Sequence, residues 1–217
     1  MIDLHTHTIL SDGMLLPSEL VRRAHVNGVK AIAITDHVDS SNIKPVITGL
    51  VEVASVLNRH WDIFVMPGVE ITHVPVEEIA SLVTVARGLG AKVVVIHGES
   101  PVEPVIKGTN TAGILSGADI LAHPGYISIE DARLAAEKNV CLEITSRKGH
   151  NETNGHVFNM AIQAGAGMVI NTDSHAPCDI MTKDTVNTVL AEITDSGEVI
   201  QGMMNNSEEI VRRAKKG

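Results

Sequence analysis

Histidines and carboxylates are the residues of this sequence whose spacing indicates chemistry, since eleven histidines occur in 217 residues. His5 and His7 are separated by one residue, and Asp173 and His175 have the same spacing. Side chains at positions i and i+2 of an extended segment point to the same side, so each pair could bind one ion. The two cysteines form no CxxC motif, which argues against a thiolate site. Imidazole and carboxylate ligands without thiolate suit Zn, Mn or Fe.

The elements that must position these groups alternate along the chain. Seven short apolar segments predict strands that are buried on both faces, and they are Met1–His5, Ala31–Thr35, Ile63–Val69, Val93–His97, Ile120–Ala122, Val140–Ile144 and Met168–Asn171. Helical patterns lie between them, which is typical of parallel βαβ units. Ser128, with Asp131 three residues later, predicts a capped helix start, and Ser207 predicts the start of a last helix, Ser207–Lys216. No linker divides the chain, so the pattern predicts one domain covering residues 1–217.

Nearly every predicted strand delivers a histidine or a carboxylate at its C-terminal end. In an open sheet these groups would spread along a line in steps of roughly 4.8 Å, whereas in a parallel barrel they meet at one face. We therefore predict a closed barrel whose mouth carries nine metal ligands: His5, His7, Asp12, His37, Glu70, His97, His123, Asp173 and His175. Nine ligands exceed the coordination sphere of one ion and indicate two or three divalent ions.

Other polar residues are expected at the same mouth. Arg147 and Lys148 follow the sixth strand, where a guanidinium could clamp a phosphate group. Glu143 could orient a ligand histidine or accept a proton. The remaining candidates, whose roles the sequence leaves open, are Ser100, Lys107, Asn110, His150 and His156.

Composition narrows the classes of partner. The formal net charge of −9 and the aromatic content of 2% argue against nucleic acid, because nucleic-acid binders usually carry a basic stripe or aromatic stacking platforms. No apolar run approaches the ~20 residues of a bilayer span, and the N-terminal residues lack the pattern of a signal peptide. We expect a cytoplasmic protein that acts on a small substrate, and the oligomeric state stays open.

Five ordered motifs resemble those of the PHP domain (polymerase and histidinol phosphatase) family. The motifs are HTHTILSDG at 5–13, ITDH at 34–37, PGVEI at 67–71, AHPG at 122–125 and NTDSH at 171–175. His97 stands where the family has a histidine between the third and fourth motifs. The resemblance covers almost the whole chain and ends near Pro177. HTH or TDH alone is common, but the five motifs in this order are specific.

The resemblance implies a distorted seven-stranded (β/α)7 TIM-like barrel in a single domain, with up to three ions. It also implies three ligand sets: His5, His7, Glu70 and Asp173 for the first ion, Glu70, His97 and His123 for the second, and Asp12, His37 and His175 for the third. Some members have histidine in place of Asp12, which would alter the metal preference of the third position. The complete ligand set argues against the metal-free PHP domains found inside some polymerases.

These residues predict a metal-dependent hydrolase, and specifically a phosphoesterase that acts on a small phosphorylated substrate. A metal-bridging hydroxide would attack phosphorus, and the residues predicted to act in the reaction are Glu70, Asp173 and Arg147. The substrate would be a small phosphate ester, such as histidinol phosphate or a nucleotide, and the sequence does not name it. Two alternatives are an amidohydrolase-like enzyme that cleaves C–N or C–O bonds, and a PHP module that supports a DNA polymerase or processes DNA ends.

Overall fold

The computed structural model describes residues 1–216, which form a nearly closed barrel of parallel strands covered by helices. The strands are β1 (Ile2–Asp3), β2 (Ala31–Ile34), β3 (His37–Val38), β4 (Phe64–Ile71), β5 (Val93–His97), β6 (Ile120–Ala122), β7 (Cys141–Thr145) and β8 (Met168–Asn171). Their order around the barrel is β1-β2-β4-β5-β6-β7-β8, and β3 pairs with β4. The predicted seven-stranded barrel is therefore confirmed.

The short strand β3 continues β2 after a two-residue break. His37 of β3 pairs with Glu70 of β4, in the same register that β2 keeps with β4. Within the break, the Asp36 carboxylate accepts hydrogen bonds from the amide and the hydroxyl of Thr8, each at 2.7 Å. These bonds fix the loop after β1 against the end of β2, so predicted ligands on both segments are held close together.

The barrel closes between β1 and β8 through a few contacts, because β1 is only two residues long. Thr6 and Ser174 form an isolated parallel bridge. The Leu4 amide donates a hydrogen bond to Asn171 Oδ1 at 2.9 Å. Closure brings the segment after β1 alongside the segment after β8, and both segments carry predicted ligands.

Eight α-helices connect and cover the strands within residues 1–216. They are α1 (Pro17–Val26), α2 (Ile43–His60), α3 (Ile79–Leu89), α4 (Thr109–Leu115), α5 (Ile129–Lys138), α6 (Asn154–Ala164), α7 (Lys183–Ile193) and α8 (Gly197–Lys216). Ile210 and Val211 of α8 pack with the apolar residues inside the barrel, such as Leu4 and Met66. Helix α8 thereby covers the N-terminal ends of the strands and leaves the opposite end open. None of these helices has both the length and the apolar character needed to cross a membrane.

The two predicted helix boundaries have different outcomes. Ser128 Oγ accepts a hydrogen bond from the Asp131 amide at 3.0 Å, which confirms the cap of α5. The predicted start of the last helix at Ser207 is wrong, because α8 already begins at Gly197. Ser207 is buried in the middle of α8, where its hydroxyl donates to the Met203 carbonyl at 3.3 Å. Packing of an apolar helix face against the barrel outweighs the local cap signal.

Candidate metal centre

The nine predicted ligands lie together at the C-terminal end of the barrel, on strand ends or on the loops that follow them. His5 and His7 follow β1, Asp12 lies in the next loop, His37 is in β3, Glu70 is in β4, His97 ends β5, His123 follows β6, and Asp173 and His175 follow β8. Six of them are buried, His37 and His175 are half-buried, and Asp12 is exposed. The cluster therefore runs from the barrel interior to its surface.

Glu70 is the central group of the cluster. Its Oε1 lies 3.1 Å from His97 Nδ1 and 3.5 Å from His123 Nε2. Its Oε2 lies 2.8 Å from His37 Nδ1 and 3.3 Å from His5 Nε2. Burial alone would raise the pKa of Glu70, but the surrounding imidazoles hold it well below its ordinary value. An ionised carboxylate with an imidazole beside each oxygen could ligate cations through either oxygen.

Two aspartates extend the cluster away from Glu70. Asp173 Oδ1 lies 3.0 Å from His7 Nε2. Asp12 Oδ1 lies 3.2 Å from His175 Nε2 and 3.6 Å from His37 Nε2. Against the effect of burial, the neighbouring histidines lower the pKa of Asp12 to about 2 and also lower the pKa of Asp173. Both side chains are therefore anionic at neutral pH and can ligate cations.

The ligand atoms fall into compact, overlapping sets. These sets are His7, Asp12, His37 and His175; His5, His123 and Asp173; His5, His7 and Glu70; and His37, Glu70 and His97, and within each set the atoms lie within 4.8 Å of one another. Because Glu70 and several histidines belong to more than one set, the sets describe adjoining positions. This arrangement fits several neighbouring divalent ions better than one isolated ion.

Several buried ligand atoms have no hydrogen-bond partner among residues 1–216, including His5 Nε2, both ring nitrogens of His7, and Asp173 Oδ1. A buried polar atom without a partner costs about 1–3 kcal/mol, and such atoms are rare in folded proteins. Here they are adjacent to one another, since His7 Nε2 lies 3.0 Å from Asp173 Oδ1. Divalent cations would satisfy these atoms, so the donor set fits a metal centre.

Comparisons with known proteins agree with this geometry. A PHP domain family model matches residues 3–113, just over half of the chain. An uncharacterized protein of Methanocaldococcus jannaschii is 45% identical over 214 residues, which cover 97% of this chain and 98% of that protein. A probable phosphatase of Shewanella pealeana is 34% identical over 195 residues, which cover 81% of this chain and 77% of the relative. The chain belongs to the PHP domain family.

A solved structure shares the fold of this PHP domain. It is histidinol phosphate phosphatase from Lactococcus lactis, complexed with zinc, L-histidinol and phosphate, and it superposes with a TM-score of 0.62 at 16% identity, covering 88% of this chain and 92% of that chain. At this identity the likeness concerns the fold alone. Family membership and the intact ligand set together make the protein a hydrolase, as the motifs predict.

The histidines of the PHP site differ in protonation. Burial lowers the pKa of His7 to about 4 and also lowers that of His123. For His5 and His97, nearby carboxylates outweigh burial, so the pKa of His97 rises to about 10 and that of His5 rises well above its ordinary value. Protons that these two imidazoles hold in the ion-free protein must leave when an ion binds.

Glu143 lies beneath the PHP site and contacts its deepest ligands. Its Oε1 lies 2.8 Å from His5 Nδ1 and accepts a hydrogen bond from Asn171 Nδ2 at 2.9 Å. Its Oε2 accepts a hydrogen bond from the His123 amide at 3.2 Å. With its hydrogen on Nδ1, His5 directs the Nε2 lone pair toward Glu70. Of the two roles that the sequence leaves open, these contacts favour the orienting role.

Backbone strain marks three residues of the site. The φ angles are +27° for His123, +50° for Asp173 and +53° for His73. Non-glycine residues rarely adopt positive φ, and such conformations persist at functional sites where the surroundings hold them. His73 is absent from the predicted ligands, so strain draws attention to a residue that spacing does not identify.

Arg147 and Lys148 line a cavity whose lining includes none of the nine predicted ligands. Thr172 and Asp179 also line this cavity, whose volume is about 270 Å³. Arg147 Nη1 lies 3.2 Å from Asp179 Oδ2, and the same oxygen accepts a hydrogen bond from the His175 amide at 3.2 Å. Arg147 is therefore linked to the loop that carries His175.

Glu103 is a site residue that the sequence analysis misses. It lies in the loop between β5 and α4, and its Oε2 lies 3.1 Å from both His73 Nε2 and His97 Nε2. Its Oε1 lies 3.3 Å from His150 Nε2. The imidazoles of His150 and His97 hold the pKa of Glu103 well below its ordinary value. The only signal in the sequence is a carboxylate in the segment that follows a ligand-bearing strand.

A cavity of about 370 Å³ opens beside the cluster, and its lining includes Asp12, His37, Thr72, His73 and Glu103. It connects the exposed end of the predicted ligand set with the residues around Glu103. His156, whose role the sequence leaves open, does not join this region, because its Nε2 lies 2.8 Å from the Ile127 carbonyl oxygen.

Proposed function

We propose that this protein is a metal-dependent phosphoesterase that hydrolyses a small phosphate ester with two or three bound divalent ions. The observation that carries the proposal is the group of buried, unpartnered imidazole and carboxylate atoms at the barrel mouth. The ligand types suit Zn, Mn or Fe. The ions would be held by His5, His7, Asp12, His37, Glu70, His97, His123, Asp173 and His175.

When bound, ions there would lower the pKa of water for attack on phosphorus and would offset the charge of the phosphoryl oxygens. The contribution of the protein is to hold the ligand atoms and to balance charge. Glu70 keeps imidazoles beside both of its oxygens, and Asp173 keeps His7 at 3.0 Å. Both carboxylates are ionised despite burial, so they offset the charge of cations within the barrel.

Arg147 is proposed to bind the phosphate group from the side of the cluster. Its guanidinium lies in the cavity that also contains Thr172, the residue before the ligand Asp173. Asp179 holds the guanidinium in place through the 3.2 Å contact. A planar, fixed guanidinium is suited to bidentate binding of phosphate oxygens.

The relatives support a phosphate ester as the substrate class. The Shewanella pealeana relative is named a probable phosphatase. The Lactococcus lactis protein is a histidinol phosphate phosphatase. Those names describe the relatives, and for this chain we propose histidinol phosphate or a nucleotide as the candidates to assay.

Two other activities would use the same ligands. An amidohydrolase-like enzyme would direct hydroxide to a carbonyl carbon and needs no cationic side chain for phosphate. Arg147, which Asp179 links to the loop that carries His175, therefore favours the phosphoesterase. A module that supports a DNA polymerase or processes DNA ends would contact a polyanion. The net charge of −9 disfavours that partner.

The first experiment combines elemental analysis with an assay of p-nitrophenyl phosphate turnover in added Mn or Zn, with and without chelator. We expect two or three ions per chain and turnover that chelator abolishes. Bound ions without turnover of phosphate esters would move the assignment to the amidohydrolase-like activity. No bound ions after reconstitution would refute the metal centre itself.

A further inference from the structure

A second cluster of ligand-type side chains lies at the rim of the metal centre. It consists of His73, His97 and Glu103, whose ligand atoms lie within 4.8 Å of one another. Glu103 Oε2 lies 3.1 Å from Nε2 of each histidine. Atoms bound to one ion at about 2.0–2.1 Å lie roughly 3.0–3.4 Å apart, so this spacing is compatible with a shared cation.

His97 supplies the observation that distinguishes a cation site from a hydrogen-bonded cluster. Its side chain is 2% exposed, and its Nε2 has no hydrogen-bond partner among the described residues. Its Nδ1, by contrast, is hydrogen-bonded to Glu70 Oε1 at 3.1 Å. Nδ1 thus faces Glu70 in the metal centre, and Nε2 faces Glu103. Once both ring hydrogens are released, each nitrogen presents a lone pair on its own side of the ring.

The backbone places His73 in this cluster at a conformational cost. Its φ of +53° is left-handed, which is uncommon for a residue with a side chain. Its side chain is 41% exposed, so core packing does not explain the conformation. The contact that accompanies the strain is the one with Glu103. Strained backbone of this kind persists at functional sites, where the surrounding structure holds it.

The loop that carries Glu103 is anchored on both sides of this residue. Glu99 Oε1 accepts a hydrogen bond from the backbone amide of Asn110 at 3.0 Å. In return, Asn110 Oδ1 accepts one from the backbone amide of Glu99 at 2.9 Å. Ser100 Oγ lies 2.6 Å from His150 Nδ1, and His150 Nε2 lies 3.3 Å from Glu103 Oε1. These contacts hold the carboxylate against the two histidines.

We propose that His73, His97 and Glu103 form a further divalent-cation site at the rim of the metal centre, with its remaining coordination positions open to water or substrate. Two histidines and one carboxylate with open positions suit Zn, Fe or Mn. The cavity that Glu103 lines is also lined by Asp12 and His37. An ion at the rim would therefore face the substrate and bind an anionic group of it. The inference rests on the proposed function, because His97 would bind the rim ion through Nε2 and an ion of the metal centre through Nδ1, as an imidazolate that has released both ring hydrogens.

Two substitutions remove rim ligands while leaving the nine predicted ligands in place: His73→Ala and Glu103→Gln. The matched controls are His60→Ala, an exposed histidine at the end of α2, and Glu137→Gln, an exposed glutamate in α5. Thermal unfolding in chelator checks that every variant folds like the wild-type protein. Each protein is then titrated with Co²⁺, and its absorption spectrum monitors the binding. A separate sample is reloaded with Mn or Zn for elemental analysis.

Each rim substitution is expected to lower the affinity for one cation by more than about 100-fold. Loss of an outer-shell partner alone lowers metal affinity by about 10- to 100-fold, and a direct ligand should matter more. The reloaded variants should hold one ion fewer per chain than the controls. Wild-type ion content and Co²⁺ spectra in both variants would refute the rim site. If Glu103→Gln lowers the cation affinity but His73→Ala does not, the rim site is also refuted, because Glu103 would then only position His97. Absence of any ion from the wild-type protein would refute the proposed function as well.

Discussion

Replacing Glu143 by glutamine removes a charge beneath the metal centre without changing the size of the side chain. Glu143 is buried and faces three donors, which are the His5 ring nitrogen, the His123 amide and the side-chain amide of Asn171. An amide has one acceptor oxygen and an NH₂ group that can only donate. In either orientation of the new amide, its NH₂ group faces at least one of these donors.

The expected effects follow from these contacts. A buried donor without an acceptor costs about 1–3 kcal/mol, and ~1 kcal/mol lowers the Tm of a domain of this size by about 2–4 °C. We therefore expect the chelated variant to unfold roughly 2–12 °C lower than the wild-type protein. If the NH₂ group faces His5 Nδ1, the imidazole carries its hydrogen on Nε2, the atom 3.3 Å from Glu70 Oε2. That tautomer cannot bind an ion through Nε2, so the affinity of the ion falls by about 10- to 100-fold.

Thermal unfolding in chelator measures the first effect of Glu143→Gln, and calorimetric titration with Zn or Mn measures the second. Glu137→Gln, on the exposed side of α5, controls for loss of a carboxylate elsewhere. Unchanged Tm and unchanged ion affinity would refute the conclusion that Glu143 orients His5. A lower Tm with wild-type affinity would show that Glu143 supports the barrel but does not set the tautomer.

Three further perturbations test other parts of the molecule. His7→Ala should abolish turnover and release metal while circular dichroism stays native, because the barrel core lies elsewhere; His60→Ala is the control, and global unfolding would show that the ions are structural. Arg147→Ala should raise the KM for phosphate esters more than it lowers kcat, because the proposed role of Arg147 is to bind the phosphate group from the cavity that it shares with Thr172; unchanged kinetics would exclude Arg147 from the site. Burial raises the pKa of the Cys141 thiol to about 11, whereas Cys178 is exposed. A scarce thiolate at Cys141 means that a thiol reagent at about pH 8 should modify one cysteine per native chain and both after denaturation; rapid modification of two native thiols would contradict the packing of Cys141.

The placement of the predicted ligands could be derived from the sequence because parallel βα units deliver every strand end to one face. His97 and His123 illustrate this point. Each follows or ends an apolar run, and nothing local connects them, yet the structure places both beside Glu70 at 3.1 Å and 3.5 Å. The alternation of strands and helices along the chain is the signal that predicts this proximity.

Glu103 and His73 could not be derived in the same way, because their positions depend on loop geometry. Glu103 contacts His97 from a loop that reciprocal hydrogen bonds between Glu99 and Asn110 hold together. His73 reaches Glu103 only through a positive φ. Neither a reciprocal side-chain bond across a loop nor a left-handed histidine has a periodic signature, so the rim of the site emerges only from the structure.

Strained backbone and unpartnered buried atoms both destabilise the fold at this site, and both lie where bound cations could offset their free-energy cost. Asp173 and His123 adopt positive φ, and buried ring nitrogens of His5 and His7 lack partners among residues 1–216. The strands behind them are buried on both faces, so the barrel provides the stability that holds these groups in place. Ions that bind only the folded chain would stabilise it further, by about 4 kcal/mol per site at 1,000 times the Kd. The same unsatisfied atoms would thus account both for cation binding and for stabilisation of the folded chain by bound ions.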